Sequence, residues 1–260
     1  MLANPPLVLC ISGHDPSGGA GIQADIETCT ALGTHALTII TAHTVQDTRQ
    51  VLRVSAVAPI LLAAQLDALL DDCKPDAIKL GLLGDAEQVP VLAERLAALR
   101  VPVVMDPVLR AGGGKNLVSS RLQAAIGEFL LPLADVLTPN AAEARRLAGQ
   151  QDLQACGATL LRRGAKNILI TGGDEPGDEV VNLWNQPDGE VKRYVWPRLP
   201  EVFHGAGCTL AAAIASFLAR GLSMADTLER AQRYTQQTLA HAHAVGRGRR
   251  IPGRSRREES

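Results

Sequence analysis

Aromatic residues are scarce in this sequence of 260 residues, which contains two Trp, two Tyr and three Phe, or 3% of the chain. Alanine, leucine, valine and isoleucine must therefore supply the hydrophobic core, and an apolar content of 46% is enough for a sizeable one. This composition favours alternating strands and helices over a β-sandwich. The length fits one large domain or two small ones.

An excess of charge of one sign is also missing, because the formal net charge is −1 at pH 7. We therefore expect neither nucleic acid nor a membrane as a partner. The five cysteines are scattered and form no C-x-x-C pair, which argues against a zinc site and a disulfide framework. No apolar run is long enough to cross a bilayer, and the N-terminus lacks the pattern of a secretory signal. We expect a soluble protein of a reducing compartment, the cytoplasm.

Short apolar segments alternate with longer segments of helical periodicity. The short segments are typical of strands buried on both faces of a parallel sheet, at residues 7–12, 36–42, 77–83, 101–106, 134–139 and 167–171. The pattern predicts a three-layer α/β/α sandwich around a central, mostly parallel sheet, and a β-hairpin at 179–196. We expect residues 1–245 to form a single domain. The charged residues 246–260 predict a disordered tail, whose removal from Gly248 onward should change little.

The stretch GHDPSGGAGIQAD at residues 13–25 lies between the first predicted strand and a helix. It lacks the Gly-Lys-Ser/Thr of a Walker A loop, and Ala24 stands where a dinucleotide fingerprint has its last glycine. A tight turn is one explanation for its glycines. The other is a flat, compact ligand that lies against bare backbone, with Asp25 pointing back from the first helical turn.

A second glycine-rich element, HGAGCT at residues 204–209, precedes a long apolar helix. Successive backbone N–H groups at such a helix start form an anion site, here at Gly205, Ala206, Gly207 and Cys208. A thiol in this position should have a lowered pKa. The pattern therefore predicts that Cys208 is reactive, against the alternative of a buried structural cysteine.

Three polar side chains follow predicted strands: Asp106, Asn140 and Glu143. A sparse set of carboxylates can hold Mg²⁺ through water near substrate phosphates. Alternatively, Asn140 caps the helix at 141–148 and Glu143 completes a capping box. The residues alone leave both interpretations open. The segment LITGGD at 169–174 is a strand that ends in paired glycines, a weak indication of a nucleotide contact.

These motifs occur together with TVQD at 44–47, KLGLLG at 79–84, MDPV at 105–108 and TPNAAEA at 138–144. In this order they resemble the hydroxymethylpyrimidine/phosphomethylpyrimidine kinases of thiamin biosynthesis, which belong to the ribokinase-like superfamily. The resemblance runs from about residue 7 to residue 245. It implies a ribokinase-like fold and ATP-dependent phosphorylation of 4-amino-5-hydroxymethyl-2-methylpyrimidine and of its monophosphate. It also implies Mg²⁺ as cofactor, a homodimer, and a cytoplasmic enzyme.

The resemblance further implies a role for each matched residue. The glycine loop would belong to the pyrimidine pocket, formed by Gly13, Ala20, Asp25, Gln46, Leu82 and Val108. In that pocket, Gln46 would bond the aminopyrimidine edge, and Leu82 and Val108 would pack against the ring.

The remaining matched residues would act on the phosphoryl group. Its anion hole would be formed by Gly205, Ala206, Gly207 and Cys208, and the Cys208 thiolate would accept the hydroxymethyl proton. ATP would be bound by Asn140, Thr171 and Gly173, and Mg²⁺ by Asp106 and Glu143. Two alternatives remain: a pyridoxal/pyridoxine kinase of the same superfamily, and an inactive pyrimidine-binding regulatory module.

Overall fold

The computed structural model describes residues 4–109 and 119–255. The glycine-rich stretch at 110–115 and the last tail residues, 256–260, lie outside the described residues. The strands of the described part are β1 Leu7–His14, β2 His35–Gln46, β3 Val51–Ala56, β4 Ala77–Leu80, β5 Val103–Met105, β6 Val136–Leu137, β7 Ile168–Ile170, β8 Glu179–Asn185 and β9 Val191–Pro197. The helices are α1 Gly21–Ala31, α2 Pro59–Asp72, α3 Gln88–Leu99, α4 Ser120–Ala125, α5 Ala141–Ala148, α6 Leu153–Arg162, α7 Ala206–Ala219 and α8 Met224–Ala240.

These strands form one sheet in the order β3-β2-β1-β4-β5-β6-β7-β8-β9. The six central strands, β2-β1-β4-β5-β6-β7, are parallel to one another. Strand β3 is antiparallel at one edge, and β8 and β9 are antiparallel at the other. The predicted mostly parallel sheet and the hairpin of β8 and β9 are confirmed. Strand β3 was not expected, because it is a short edge strand and most of its side chains are exposed.

The two faces of the sheet carry separate hydrophobic clusters, because successive side chains of a strand point to opposite sides. In β1, Leu9 and Ile11 pack with the helices α2 to α6, while Val8 and Cys10 pack with α1, α7 and α8. Helix α7 is apolar on all sides and almost entirely buried, as a helix at the centre of a layer must be. The predicted three-layer α/β/α sandwich is confirmed.

The direction of the chain across the sheet reverses at β1. Its neighbours are β2 on one side and β4 on the other, so β1 and β4 separate two halves of the sheet. In open α/β sheets, a crevice forms at such a point beyond the carboxyl ends of the strands, and ligands bind there. The glycine loop follows the carboxyl end of β1 and therefore lies in this crevice. No helix among the described residues is long and apolar enough to span a membrane.

The C-terminal residues 246–255, which we call the strap, pack against the body of the protein. Ile251 is buried, and Arg254 is 1% exposed. The Arg254 guanidinium donates to the Gly19 carbonyl oxygen, to Thr209 Oγ1 at 2.8 Å and to Glu27 Oε2 at 3.0 Å. The prediction of a disordered tail is therefore wrong for these residues. Their low apolar content is offset by ionic and hydrogen-bonding contacts with residues far away in the sequence.

Replacement of Arg254 by methionine should lower the free energy of unfolding by about 2–5 kcal/mol, because it leaves two buried acceptors, the Gly19 carbonyl and Thr209 Oγ1, without their donor. The expected loss of stability differs from the sequence-based expectation that removal of the tail changes the melting temperature and the activity little. Urea unfolding of the two proteins measures the difference. Glu27→Gln is the matched control, because the Glu27 carboxylate is 39% exposed and its ion pair should contribute less than about 1 kcal/mol. Equal midpoints for Arg254→Met and wild type would contradict the assignment of the strap as a structural element.

Candidate active site

A cavity of about 520 Å³ opens at the carboxyl ends of the central strands. It brings together residues from every motif singled out in the sequence. All but one of the predicted site residues line it: Gly13, Ala20, Gln46, Leu82, Asp106, Val108, Asn140, Glu143, Thr171, Gly173, Gly205, Ala206, Gly207 and Cys208. The exception is Asp25.

The glycine loop is held in shape by a buried carboxylate, Asp15. One oxygen of Asp15 accepts from the backbone N–H and the hydroxyl of Ser17, each at 2.8 Å, and the other accepts from the Ala20 N–H at 2.9 Å. The latter oxygen also lies 2.7 Å from Nε2 of His204, which stands two positions before α7. Although burial opposes ionisation, the bonds from His204 and Ser17 hold the pKa of Asp15 below its ordinary value.

Close packing explains one of the loop's glycines. Gly21 has a φ of +59°, and a Cβ there would overlap the carbonyl oxygen of Gly13. The turn therefore requires glycine at this position. The loop presents bare backbone and the small side chain of Ala20 to the cavity, a surface against which a flat ligand can lie.

Asp25 is completely buried behind this loop, so the prediction that it lines the substrate pocket is wrong for this structure. Both of its oxygens lie 2.9 Å from the ammonium of Lys79, which is equally buried. Lys79 also lies 3.4 Å from Ser12 Oγ. Burial alone would lower the pKa of Lys79, but the neighbouring Asp25, Cys208 and Asp106 raise it above its ordinary value. Lys79 is therefore a fixed positive charge beneath the cavity floor.

Helix α7 begins at the cavity wall, with Gly205 as its N-cap. Gly205 has a φ of +89°, and a Cβ there would overlap the Gly19 carbonyl oxygen, so the helix start and the glycine loop are in direct contact. The first turn carries Ala206, Gly207 and Cys208. The backbone N–H groups of a first helical turn have no partners within the helix, and the helix dipole adds positive potential. The arrangement can bind an anion.

The pKa of Cys208 differs from the prediction. The side chain keeps some exposure to the cavity, but the surrounding protein displaces most of its water. This burial, together with the charges of Asp106 and Asp25, outweighs Lys79 and the Gly21 backbone and raises the pKa of the thiol to about 11. The expectation of a lowered pKa is therefore wrong, because desolvation exceeds the effect of the helix start. At neutral pH the unliganded protein carries a thiol here.

Alkylation of Cys208 by iodoacetamide should accelerate about tenfold per pH unit from pH 7 to pH 9.5 without levelling. Only the thiolate reacts, and a pKa of about 11 leaves it a minor species throughout this range. Mass spectrometry of the labelled peptide gives the rate, and glutathione in the same tube provides an unburied thiol for comparison. A rate for Cys208 that levels off near pH 7 would show that its pKa is lowered after all.

Asn140 and Glu143 form a capping box at the start of α5, one of the two interpretations that the sequence allowed for them. Asn140 Oδ1 accepts from the Glu143 N–H at 2.8 Å, and Glu143 Oε2 accepts from the Asn140 N–H at 3.1 Å. The other oxygen, Oε1, accepts from the Leu109 N–H. Both residues nevertheless line the cavity. Capping and ligand binding are therefore compatible here.

Two carboxylates with raised pKa values lie in the cavity wall. Burial raises the pKa of Asp106 to about 6, with Lys79 and a hydrogen bond from Cys208 acting in the opposite direction. Burial and the charge of Asp106 raise the pKa of Glu143 to about 8. Across residues 4–109 and 119–255, no three His, Cys, Asp or Glu side chains form a cluster suited to a metal ion.

A second cavity of about 460 Å³ continues from the first across the start of α7. The two share Thr171, Gly173, Asp174, Phe203, Ala206 and Gly207. The far part of the second cavity is lined by Trp196, Leu210 and Leu239. The site can therefore hold two ligands, one on each side of the helix start.

A family model for phosphomethylpyrimidine kinase matches residues 15–252. The chain belongs to this family. It is 40% identical over 250 residues to the hydroxymethylpyrimidine/phosphomethylpyrimidine kinase of Synechococcus elongatus, covering 94% of this chain and 95% of that one. The corresponding Escherichia coli enzyme is 37% identical, with coverage of 92% and 94%. The family and these relatives make the protein an ATP-dependent kinase.

Further matches are a longer bifunctional protein and two solved kinase structures with a similar fold. It is 41% identical to the thiamine biosynthesis bifunctional protein ThiED of Geobacter sulfurreducens, but spans only half of that protein's length. The pyridoxal kinase of Staphylococcus aureus, solved with pyridoxal, has a TM-score of 0.89 at 28% identity, covering 97% of this chain and 94% of that one. The phosphomethylpyrimidine kinase of Clostridium difficile has a TM-score of 0.80 at 31% identity, covering 90% and 99%. These neighbours confirm the ribokinase-like fold.

Sequence reasoning missed several residues of the site. Asp15 and His204 stand inside the two glycine motifs, and their proximity to those motifs was the available signal. Lys79 occupies a strand position, and a lysine in an otherwise apolar buried strand could have indicated a buried partner. Arg249 and Arg254 carried no signal, because their segment resembles a disordered tail.

Proposed function

We propose that this kinase phosphorylates the 5-hydroxymethyl group of 4-amino-5-hydroxymethyl-2-methylpyrimidine and then the resulting monophosphate. The observation that carries this proposal is the single cavity that joins the glycine loop, the Gln46 amide and the start of α7. It offers a flat surface, an amide for an aminopyrimidine edge, and an anion site for the phosphoryl group. The names of its relatives support the same substrates.

The acceptor lies on the β2 side of the cavity. Gln46 is the last residue of β2, and its amide can pair with the amino group and ring nitrogen of a pyrimidine. Leu82 and Val108 line the same cavity as the Gly13 and Ala20 backbone, and they provide the apolar contacts for the ring. In this pose the hydroxymethyl group points toward Cys208.

ATP occupies the other side. The apolar part of the second cavity, at Trp196, Leu210 and Leu239, suits the adenine ring. Thr171 and Gly173 line both cavities, so they lie on the path of the phosphates between the base and α7. The terminal phosphate then meets the N–H groups of Ala206, Gly207 and Cys208, where the charge that develops during transfer is stabilised.

The chemical step transfers the γ-phosphoryl group in line. The hydroxymethyl oxygen forms a bond to the γ-phosphorus as the bond from phosphorus to the β–γ bridging oxygen breaks and ADP leaves. The hydroxyl proton passes to Cys208 Sγ as the thiol proton passes to the Asp106 carboxylate. This relay needs no resting thiolate, in agreement with a pKa of about 11 for Cys208. Asp106, with a pKa of about 6, is ionised and able to accept the proton at neutral pH.

Mg²⁺ would neutralise part of the charge of the ATP phosphates. The residues present fit this role, because Mg²⁺ in kinases is held by one or two carboxylates, water and the phosphates themselves. Asp106 is engaged with Cys208, so we assign the metal contact principally to Glu143. Each Glu143 oxygen accepts one backbone N–H, and a bound cation would hold in its ionised form a carboxyl whose pKa is about 8 in the unliganded protein.

A pyridoxal kinase is the second candidate, favoured by the TM-score of 0.89 with the Staphylococcus aureus enzyme. A coupled ADP-release assay with four acceptors separates the two functions: the pyrimidine alcohol, its monophosphate, pyridoxal and pyridoxine. We expect kcat/KM to be far higher for the two pyrimidines, because an amide such as Gln46 matches an aminopyrimidine edge and not a phenolic oxygen and an aldehyde. An equal or higher kcat/KM with pyridoxal would favour the second candidate.

Gln46→Ala should raise the KM for the pyrimidine alcohol, weakening recognition by about 1–3 kcal/mol, because the bound amino group loses its buried partner. The KM for ATP should stay unchanged, since Gln46 lies on the acceptor side. The same assay with either substrate varied gives both constants. Gln50→Ala is a control outside the cavity lining. Unchanged KM and kcat for the pyrimidine would show that Gln46 does not face the acceptor.

We also propose a cytoplasmic homodimer. The five cysteines are all free, which suits a reducing compartment. Val45, Ile60 and Leu61 are exposed apolar side chains, with Ile60 81% exposed, and such residues are common at subunit interfaces. The molecular mass in solution, measured by size-exclusion chromatography with light scattering, tests the oligomeric state. A mass equal to one chain at micromolar concentration would contradict the dimer.

A further inference from the structure

The strap passes beside the first cavity, which Arg249 lines, and is held on both sides of this residue by backbone hydrogen bonds. On the β2 side, the Gly248 N–H donates to Thr48 Oγ1 and the Arg249 N–H donates to the Thr48 carbonyl oxygen, each at 3.0 Å. On the α7 side, the Arg250 N–H donates to the Val202 carbonyl oxygen at 3.0 Å. The backbone around Arg249 is therefore fixed between the acceptor side and the nucleotide side of the site.

The three arginines of this part of the strap point in different directions. Arg247 is exposed, and Arg250 Nη1 donates to the Ala242 carbonyl oxygen, away from the cavity. Arg249 is half-buried and lines the cavity. Burial lowers the pKa of its guanidinium and the charge of Asp174 opposes this, but an arginine remains protonated at neutral pH. The fold thus selects one of three neighbouring arginines to face the site.

The charges around the cavity give Arg249 its significance. Four carboxylates line it: Asp15, Asp106, Glu143 and Asp174. Within the described ranges, Arg249 is the one Lys or Arg side chain in the lining, since Lys79 is completely buried beneath the floor. The Arg249 guanidinium forms no hydrogen bond with any other described side chain, and its donors remain available for a ligand.

We propose that Arg249 binds a phosphate group of the reactants. The inference rests on the proposed function, in which two phosphorylated molecules enter this cavity: ATP and the pyrimidine monophosphate. A guanidinium can donate two parallel hydrogen bonds to a phosphate, and such charge-assisted bonds are about twice as strong as neutral ones. In a cavity lined by four carboxylates, this cation favours the binding of an anion, in addition to the start of α7. The strap is thereby part of the binding site.

Arg249→Gln keeps a shorter polar side chain that can still donate a hydrogen bond, and it removes the charge. We expect KM to rise about tenfold to hundredfold for the reactant whose phosphate Arg249 holds. A rise for the monophosphate, with the alcohol and ATP unaffected, assigns Arg249 to the acceptor phosphate. A rise for ATP with either acceptor assigns it to the nucleotide. Arg249→Lys should lie between glutamine and wild type, because lysine retains the charge but not the planar fork.

Arg247→Gln is the matched control, since it removes an equal charge from an exposed position of the same strap. Melting temperatures of all variants confirm that the strap stays in place. Values of KM within about twofold of wild type for both acceptors and ATP in Arg249→Gln would overturn the proposal, as would an equal effect of Arg247→Gln. If the wild-type enzyme phosphorylates neither pyrimidine, the proposed function fails. Direct titration of ATP into wild type and Arg249→Gln then decides the role of Arg249, with unchanged affinity counting against it.

Discussion

Replacement of Cys208 by alanine is expected to lower kcat by about 10²–10⁴, the usual contribution of general acid–base catalysis, while ATP still binds. The substitution removes the sulfur that receives the hydroxyl proton but keeps the backbone N–H groups at the start of α7. Steady-state kinetics and titration with ATP measure the two effects separately. Cys208→Asp should recover part of the rate, because a carboxylate can accept the proton directly.

Cys73→Ala is the matched control for this experiment. Cys73 is partly exposed at the C-terminal end of α2, outside the cavity, and its loss should leave kcat unchanged. Near-full activity of Cys208→Ala at neutral pH would contradict the proton relay. The proton would then leave late, to the transferred phosphoryl group or to water.

The second large effect concerns stability. Lys79→Met should lower the free energy of unfolding by about 3–5 kcal/mol, because it leaves the Asp25 carboxylate buried without its counter-charge. Urea unfolding measures the change. The double variant Lys79→Met/Asp25→Leu should recover most of it, since an apolar pair of similar volume can replace a buried ion pair.

An exposed ion pair provides the comparison. Lys166 and Asp135 lie 2.7 Å apart, but the Lys166 side chain is 63% exposed, so Lys166→Met should change the free energy of unfolding by less than about 1 kcal/mol. If Lys79→Met and Lys166→Met had equal effects, the pair beneath the cavity floor would not be the structural element described here.

The sequence alone predicts the central sheet, because parallel strands buried on both faces are short continuous apolar runs. It does not predict β3, because most side chains of this strand are exposed and form no such run. It also predicts that its candidate site residues lie close together, because the motifs follow strand ends and the carboxyl ends of parallel strands meet in one crevice. Fourteen of the fifteen predicted residues line one cavity for this reason.

The predictions that failed depend on contacts between distant residues. The start of a helix lowers the pKa of a thiol that water reaches, but burial keeps water from Cys208 and raises its pKa instead. This burial depends on residues that are distant in the sequence. Asp25 and Lys79 are 54 positions apart, so nothing local shows that they pair. The strap has the composition of a disordered segment, yet Arg254 meets Glu27 across 227 positions. The composition of a segment indicates whether it can form a hydrophobic core of its own. It does not show whether distant parts of the chain offer partners for its charged side chains.

The most direct test of the central claim is identification of the product by ³¹P NMR. The kinase is incubated with ATP and Mg²⁺ and an equimolar mixture of the pyrimidine alcohol and pyridoxal. The account predicts that pyrimidine monophosphate appears first and is then converted to pyrimidine diphosphate, while pyridoxal remains largely unmodified. Accumulation of pyridoxal 5′-phosphate with the pyrimidine alcohol unchanged would contradict it.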